Sequence, residues 1–241
     1  MPVRDAGETA ENGRFWARFS GRPAVAGTHV LDVGCGEGRL CVELALAGAA
    51  QVIGADVNDE YLAHARANLA ANFPELQGIV AYSAGPLEAL PDNAFDYIVS
   101  KDAFEHIVRP DAVLAEMKRC LKPGGRIYIG FGPLYNSPDG HHGALGPLFP
   151  WGQLILPEAT LVRRGNRHRG LAASSIQELE LNQISFAAYR SLFYNCGLTV
   201  ESFRVNQSRH VLSGLLSLLR KVPFLEEYCT HNIYTVLRKD E

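Results

Sequence analysis

The sequence has few cysteines, no long apolar run and little net charge, and each shortage argues against a class of protein. The five cysteines among 241 residues (35, 41, 120, 196 and 229) include no C-x-x-C pair. That argues against a disulfide framework or a cysteine zinc site and fits a reducing cytoplasm. The longest apolar stretch, 211–224, contains Arg220, Lys221 and Pro223, so it predicts an amphipathic or buried helix and no membrane span. The N-terminus lacks the apolar core of a secretory signal. A net charge of −3 disfavours a nucleic-acid backbone as main partner.

The first half of the chain alternates short apolar runs with amphipathic segments. Strands are expected at 29–33, 51–56, 78–82, 95–100 and 126–131, and helices at 38–47, 58–73 and 110–121. Strands that alternate with helices of this length predict a parallel sheet covered on both faces. A chain of 241 residues is long enough to bury a full core, so a single α/β domain is the simplest interpretation.

The alternation stops after the fifth strand. Residues 132–173 are rich in glycine, proline, histidine and arginine, and so long a piece of weak structure predicts a lid or a binding loop. Within it, five basic residues favour a solvated loop or a site for an anionic substrate: Arg163, Arg164, Arg167, His168 and Arg169. Ser175-x-x-Glu178 predicts a capping box that begins a helix, 185–196 predicts another helix, and 198–205 and 232–239 predict two antiparallel strands.

One string, LDVGCGEGRL (31–40), points to chemistry. Asp32 ends the first strand, and three glycines follow in the turn to a helix: Gly34, Gly36 and Gly38. Glycines allow a tight turn and let a ligand approach the backbone. A dinucleotide fingerprint G-x-G-x-x-G requires its third glycine at position 39, where this chain has Arg39. That spacing disfavours a nicotinamide oxidoreductase.

The string D-V-G-C-G-x-G, followed by an acidic residue at the end of the second strand, resembles the class I S-adenosylmethionine-dependent methyltransferases. Within them it resembles the small-molecule group that includes quinone-biosynthesis enzymes. Two further strings match in order: FDYIVSKDAFEHI (95–107) and LKPGGRIYI (121–129). The resemblance implies a doubly wound, Rossmann-like α/β fold with a mostly parallel seven-stranded sheet, an antiparallel final strand and a lid inserted after the fifth strand.

The resemblance also implies the cofactor, S-adenosylmethionine, and the product, S-adenosylhomocysteine. Asp56 occupies the place of the family's carboxylate that accepts hydrogen bonds from both ribose hydroxyls. In the adenine region the family often has G-D-A-E, but this chain reads Gly85-Pro86-Leu87-Glu88, and a proline cannot contact the adenine amino group. The cofactor residues expected are Asp32, Gly34, Gly36, Gly38, Asp56, Val57, Leu87, Glu88, Lys101 and His106.

The acceptor is expected beyond the carboxyl ends of the strands, under the segment after the fifth strand. His141 and His142 follow that strand in a glycine-flanked loop, and imidazole titrates near neutrality, so either is a candidate general base. A polar loop tip is the alternative. His106 is a weaker candidate base. Asp139 could join the two loop histidines as metal ligands, but no other ligand has a recognisable spacing, so no metal is predicted. Tyr135, Phe149 and Trp151 are candidates for contacts with the acceptor, or for simple packing.

These observations predict a single methyltransferase domain over 1–241. It divides into an N-terminal lid helix (1–28), a cofactor core (29–131), an acceptor-binding insertion (132–184) and C-terminal helices and strands (185–241). Phe15 and Trp16 either close over the cofactor or fasten the N-terminus to the domain. The predicted function is in-line methyl transfer to a small-molecule acceptor, with no nucleic-acid partner and no membrane span. The alternative is a catalytically silent S-adenosylmethionine-binding module.

Overall fold

The protein is organised around one twisted sheet, described here from a computed structural model of residues 10–207 and 211–241. Residues 1–9 of the predicted N-terminal segment, and residues 208–210, lie outside the described part. The strands are β1 (His29–Val33), β2 (Gln51–Ala55), β3 (Val80–Ser83), β4 (Phe95–Lys101), β5 (Leu121–Phe131), β6 (Thr199–Val205) and β7 (Ile233–Arg238). The first five occur close to where the sequence predicts them.

The strand order in the sheet is β3-β2-β1-β4-β5-β7-β6. Strands β1 to β5 pair in parallel, and β7 runs antiparallel to both β5 and β6. The seven-stranded sheet and its antiparallel end, which the sequence resemblance implied, are therefore confirmed. Because β1 lies between β2 and β4, the chain reverses its winding direction there, and such a reversal opens a crevice at the carboxyl ends of the strands.

The helices of the described residues are α1 (Ala10–Ala17), α2 (Arg39–Leu46), α3 (Asp59–Asn72), α4 (Pro110–Cys120), α5 (Gly152–Ile155), α6 (Glu158–Arg169), α7 (Phe186–Asn195), α8 (Val211–Leu219) and α9 (Glu226–Cys229). Local sequence explains several starts. The side chain of Asn58 accepts hydrogen bonds from the first turn of α3, and Ser185 caps α7 in the same way. Pro110 stands in the first turn of α4, where its missing N–H costs nothing.

Two expectations for the segment after β5 need correction. The basic cluster of residues 163–169 forms the second half of α6 and no loop, and its arginines in the final turn are favoured by the helix dipole. The Ser175 hydroxyl accepts from the N–H of Glu178, as in a capping box, but the Glu178 carboxylate bonds to Ser174, and only one turn of 3-10 helix (Gln177–Leu179) follows. Between β5 and α5 the chain runs through successive turns.

Two large apolar clusters cover the faces of the sheet, and a third, smaller one lies under the segment after β5. The third cluster contains Tyr135, Leu145 and Leu161, so this segment packs as a small layer of its own. All five cysteines are free. In the described residues, we find no helix with the length and apolar character needed to cross a membrane.

Candidate functional site

The glycine turn between β1 and α2 has the backbone conformation that its sequence predicts. Gly34, Gly36 and Gly38 have φ of 77°, 51° and 74°, a region that favours glycine. A Cβ on Gly34 would lie 2.4 Å from the Cβ of Ala103, whereas one on Gly36 would meet nothing within 4 Å. Gly34 is therefore required for packing, and Gly36 leaves its space to a ligand.

Two carboxylates flank this turn. Asp32, at the end of β1, is buried, and the thiol of Cys41 donates to its Oδ2 over 3.3 Å. Burial raises the pKa of Asp32 to about 7. Asp56 follows β2 and accepts from the N–H of Gly36 at 2.8 Å and from the N–H of Asn58 at 2.9 Å. Each Asp56 oxygen receives one of these bonds, which fixes the carboxylate and leaves acceptor capacity on both oxygens.

A first cavity of about 330 Å³ opens above the glycine turn. Four predicted cofactor residues line it, namely Asp32, Gly34, Gly36 and Lys101. Seven further lining residues are Glu11, Asn12, Cys35, Glu37, Arg39, Leu40 and Asp102. The carboxyl ends of β1 and β4 meet here, as expected for a crevice at the point where the winding reverses.

The other predicted cofactor residues, Gly38, Asp56, Val57, Leu87, Glu88 and His106, line neither this cavity nor the second one described below. Val57 is an apolar residue, yet its side chain is 97% exposed, in the loop that is predicted to contact the cofactor. Leu87 and Glu88 form one turn of 3-10 helix, and the Leu87 carbonyl accepts from Arg119 at 2.9 Å. Gly38 begins α2, and a Cβ there would lie 2.1 Å from the Tyr82 hydroxyl oxygen. The contacts of these residues with a cofactor stay predictions.

Helix α1 closes the site from the N-terminal side. Phe15 and Trp16 are both buried in a core cluster, so they fasten the helix to the domain. The buried Glu43 carboxylate of α2 accepts from Asn12 at 2.7 Å and from the Trp16 indole at 3.2 Å. Glu11, one turn before Phe15, forms an ion pair with Lys101. Asn12 bonds to Glu43 and also lines the first cavity, so the anchored helix forms part of the cavity wall.

A second cavity, of about 240 Å³, adjoins the first. It shares Glu11, Lys101 and Asp102 with the first cavity, and six more residues complete its lining: Arg14, Arg18, Gly132, His231, Asn232 and Tyr234. These come from α1, from the end of β5 and from the start of β7. Sequence reasoning missed Arg14, Arg18 and His231, because α1 and β7 are far from the glycine motif in sequence.

The basic residues of the second cavity are not equivalent. Lys101 is neutralised by Glu11 and by Asp102, whose Oδ2 lies 3.3 Å from its Nζ. Arg18 donates to the Tyr234 hydroxyl and lies over that ring, 4.8 Å from its centroid. Arg14 forms no hydrogen bond or salt bridge with any residue of the described part. Two arginine charges therefore remain to attract an anionic group.

His231 is oriented by a carboxylate. Its Nε2 lies 2.8 Å from Oδ1 of Asp139, and the hydrogen bond with His231 lowers the pKa of Asp139. With Nε2 protonated towards Asp139, Nδ1 is left as an acceptor, and the Asn232 amide lies 3.4 Å from it. A carboxylate that fixes the tautomer of a histidine is a common device for general bases. In the sequence, the polar pair His231-Asn232 directly before a buried strand could have indicated this position as part of a site.

The loop histidines and aromatic residues predicted from the sequence line neither cavity. His141 is buried, which lowers its pKa, and its Nδ1 accepts from the N–H of Gly143. Tyr135 is buried in the third apolar cluster, whereas Phe149 is 51% exposed. The Trp151 indole donates to the carbonyl of Tyr228 at 3.0 Å. The roles predicted for these residues, and for His142, stay predictions.

His106 and His142 meet beside a buried carboxyl group, that of Glu105. The two rings lie 5.1 Å apart, and burial, followed by the charge of His106, lowers the pKa of His142 to about 4. Burial raises the pKa of Glu105 to about 8. The N–H of Gly132 donates to Oε1 of Glu105 at 3.1 Å, so this cluster adjoins the wall of the second cavity.

Residues 24–132 match the family model described as a methyltransferase domain. The fold is also that of a solved S-adenosylmethionine-dependent methyltransferase from Mesorhizobium loti, with a TM-score of 0.61 and 19% identity over 96% of this chain and 98% of that one. Residues 24–132 therefore carry a methyltransferase domain, and the chain has the α/β fold of that solved structure. The resemblance stated from the sequence is thereby confirmed.

The names of two curated relatives state a narrower kind of methyl transfer than the family model does. The chain is 34% identical to a ubiquinone biosynthesis O-methyltransferase of Mesorhizobium japonicum over 47% of its own length and 46% of that protein. It is 35% identical to the ubiquinone/menaquinone biosynthesis C-methyltransferase UbiE of Shewanella frigidimarina over 48% of each. The chain therefore matches about half the length of these curated relatives, and they methylate different atoms.

Proposed function

We propose that this chain transfers the methyl group of S-adenosylmethionine to a small polar acceptor that carries a negatively charged group. The observation that carries the proposal is the shared wall of the two cavities. Glu11, Lys101 and Asp102 line both, so a molecule over the glycine turn and a molecule in the second cavity would be neighbours. Holding two reactants in such proximity is the main requirement of a displacement reaction.

The glycine turn under the first cavity and the Asp56 carboxylate bonded to it fit the cofactor, although Asp56 itself does not line that cavity. Asp56 has acceptor capacity free on both oxygens for a ribose diol, and Gly36 leaves open space beside it. S-adenosylmethionine supplies a methyl group already activated by its bond to a positively charged sulfur. The chain's own contribution is to hold this group and the acceptor in line and to exclude water, with α1 as the cover.

The second cavity suggests how the acceptor is held and deprotonated. Arg14 and Arg18 would attract a carboxylate or a phosphate, since guanidinium pairs well with either. His231, oriented by Asp139, would take the proton that the acceptor loses as its oxygen, nitrogen or carbon forms the new bond to the methyl carbon. The bond between that carbon and sulfur breaks at the same time, and its electron pair stays on sulfur.

Hydroxyl compounds that also carry a carboxylate are the first acceptors to test, because the relative from Mesorhizobium japonicum is named as an O-methyltransferase and a carboxylate would pair with Arg14 and Arg18. Calorimetric titration with S-adenosylmethionine, S-adenosylhomocysteine and NADH comes first, followed by a screen for S-adenosylhomocysteine release. We expect the first two to bind and NADH to be silent. Cofactor binding without turnover of any anionic or neutral acceptor would favour the silent binding module, and absence of binding would overturn the proposal.

Arginine variants test the acceptor class. Arg14→Gln should raise the KM for a carboxylate acceptor by about tenfold, the usual weight of one charged contact, and leave the affinity for the cofactor unchanged. Arg14→Lys should restore most of the loss. Arg163→Gln, on the exposed face of α6, is the control for a change of net charge. If Arg14→Gln affects neutral and anionic acceptors equally, the anionic class is wrong.

A further inference from the structure

We propose that Glu105, His106 and His142 form a binding site for one divalent transition-metal ion such as Zn²⁺, Mn²⁺ or Co²⁺. One ligand atom from each of the three residues can be chosen so that all lie within 4.8 Å of one another. The two histidines come from different parts of the chain, after β4 and after β5, so only the fold brings them together. No local spacing of ligands in the sequence indicates this set of three, and no metal was predicted from it.

The carboxylate of Glu105 is the first reason. The side chain is only 4% exposed, and its Oε2 has no hydrogen-bond partner among the described residues. Oε1 accepts from the N–H of Gly132 at 3.1 Å. A buried polar atom left without a partner is costly, so a missing partner such as a cation is expected there.

The orientation of the two histidines is the second reason. Nδ1 of His106 lies 2.6 Å from the carbonyl oxygen of Glu180, and Nε2 of His142 lies 2.6 Å from that of Pro133. A ring nitrogen at this distance from a carbonyl must carry the proton and donate it. The other nitrogen of each ring then has a free lone pair. Histidines that bind metals are commonly held in this way by a backbone carbonyl.

The donor set indicates the class of cation. Two imidazole nitrogens and one carboxylate oxygen suit zinc and neighbouring transition metals, whereas magnesium and calcium prefer oxygen ligands throughout. Ligand atoms around a tetrahedral ion lie roughly 3.3 Å apart. The three ligand atoms would therefore draw together by up to about 1.5 Å on binding. Three protein ligands leave at least one position for water or another ligand.

The test uses the full chain freed of metals by a chelator, with Co²⁺ as the probe and neither cofactor nor acceptor present. We expect one Co²⁺ per chain, a visible d–d absorption band from nitrogen and oxygen ligands, and a rise in Tm. His106→Ala, which removes an exposed ligand, should weaken binding by at least about tenfold and abolish the band. His142→Ala and Glu105→Gln should do the same while the circular dichroism spectrum stays that of a folded protein.

Two control variants separate this site from adventitious binding. His64→Ala removes an exposed histidine on α3, and His231→Ala removes the histidine that pairs with Asp139. Both should bind Co²⁺ as the unaltered chain does. Equal Co²⁺ affinity in His106→Ala and in the unaltered chain, or no binding at millimolar Co²⁺, would overturn the proposal. The Co²⁺ titration measures no methyl transfer. The metal site and the proposed methyl transfer can therefore be disproved independently of each other.

Discussion

The Nε2 of His231 and the Oδ1 of Asp139 lie 2.8 Å apart just before β7 begins, although 92 positions separate the two residues in the chain. The pair forms because β7 runs antiparallel beside β5, which places the residue before β7 next to the loop after β5. The result is an oriented imidazole in the wall of the second cavity. This geometry is the basis on which His231 is proposed as the general base.

Replacing His231 should therefore slow the reaction without weakening cofactor binding. We expect His231→Gln to lower kcat by roughly 10²–10⁴-fold, the usual contribution of a general base. The measurement is S-adenosylhomocysteine release, with calorimetric cofactor affinity in parallel. His168→Gln, at the exposed end of α6, is the control. If His141→Ala abolishes turnover and His231→Gln does not, a loop histidine is the base, as the sequence suggests.

Asp56 should carry a large share of the affinity for S-adenosylmethionine. We expect Asp56→Ala to weaken binding by roughly 1.5–3 kcal/mol, the scale of hydrogen bonds to a charged group. Calorimetric titration measures the change. Asp59→Ala, in the first turn of α3, removes a nearby carboxylate without touching the glycine turn and should bind normally. Unchanged affinity in Asp56→Ala would mean that another residue holds the ribose.

The glycine at position 34 should be required for packing as well as for backbone conformation. In Gly34→Ala the new Cβ would clash with Ala103, and the left-handed φ of 77° adds strain. Gly27 has nearly the same φ, 74°, but open space around it. We therefore expect Gly34→Ala to lower the free energy of unfolding by about 1–3 kcal/mol more than Gly27→Ala, as measured in urea. Equal losses would show that only backbone strain matters.

The Glu43 carboxylate should hold α1 over both cavities. Glu43→Ala removes the acceptor of the Asn12 amide and the Trp16 indole, both of which stay in a buried place. We expect a loss of roughly 2–3 kcal/mol of stability and faster hydrogen exchange confined to α1. Cofactor affinity should fall with it, because Glu11 and Asn12 line the first cavity. Glu75→Ala, exposed and outside both cavities, controls for lost charge; uniform exchange in Glu43→Ala would contradict local release.

Asp32 should make the free protein less stable as pH rises. Its pKa is raised from 3.8 to about 7 by burial, so the folded state holds a proton that the unfolded state has lost between those values. The free energy of unfolding should fall from about pH 4 through pH 7 and then level off, by a few kcal/mol at most (about 1.4 for each unit of pKa). Urea denaturation at several pH values should show a flatter profile in Asp32→Asn. If the pH profile of Asp32→Asn is as steep as that of the unaltered chain, another titrating group causes the pH dependence.

The sequence by itself determined the parallel core of the fold and the glycine turn where the cofactor is expected. Hydrophobic periodicity, the proline and asparagine at helix starts, and the glycine turn act over a few residues, so they are legible without the rest of the chain. Asp32 and Asp56 could be found because each directly follows or ends a strand that the glycine turn places in register. The helix of residues 158–169 was missed because its basic residues dominate its composition.

Only the tertiary structure decided what lies opposite the glycine turn. Arg14 and Arg18 reach the second cavity because α1 packs on the sheet through Phe15 and Trp16, and His231 reaches it because β7 inserts between β5 and β6. Glu105 and His142 come together because β4 and β5 are neighbours in the sheet, so the segments that follow them lie side by side. Such neighbours are set by burial of apolar surface across long sequence separations, and no local pattern of residue types encodes them.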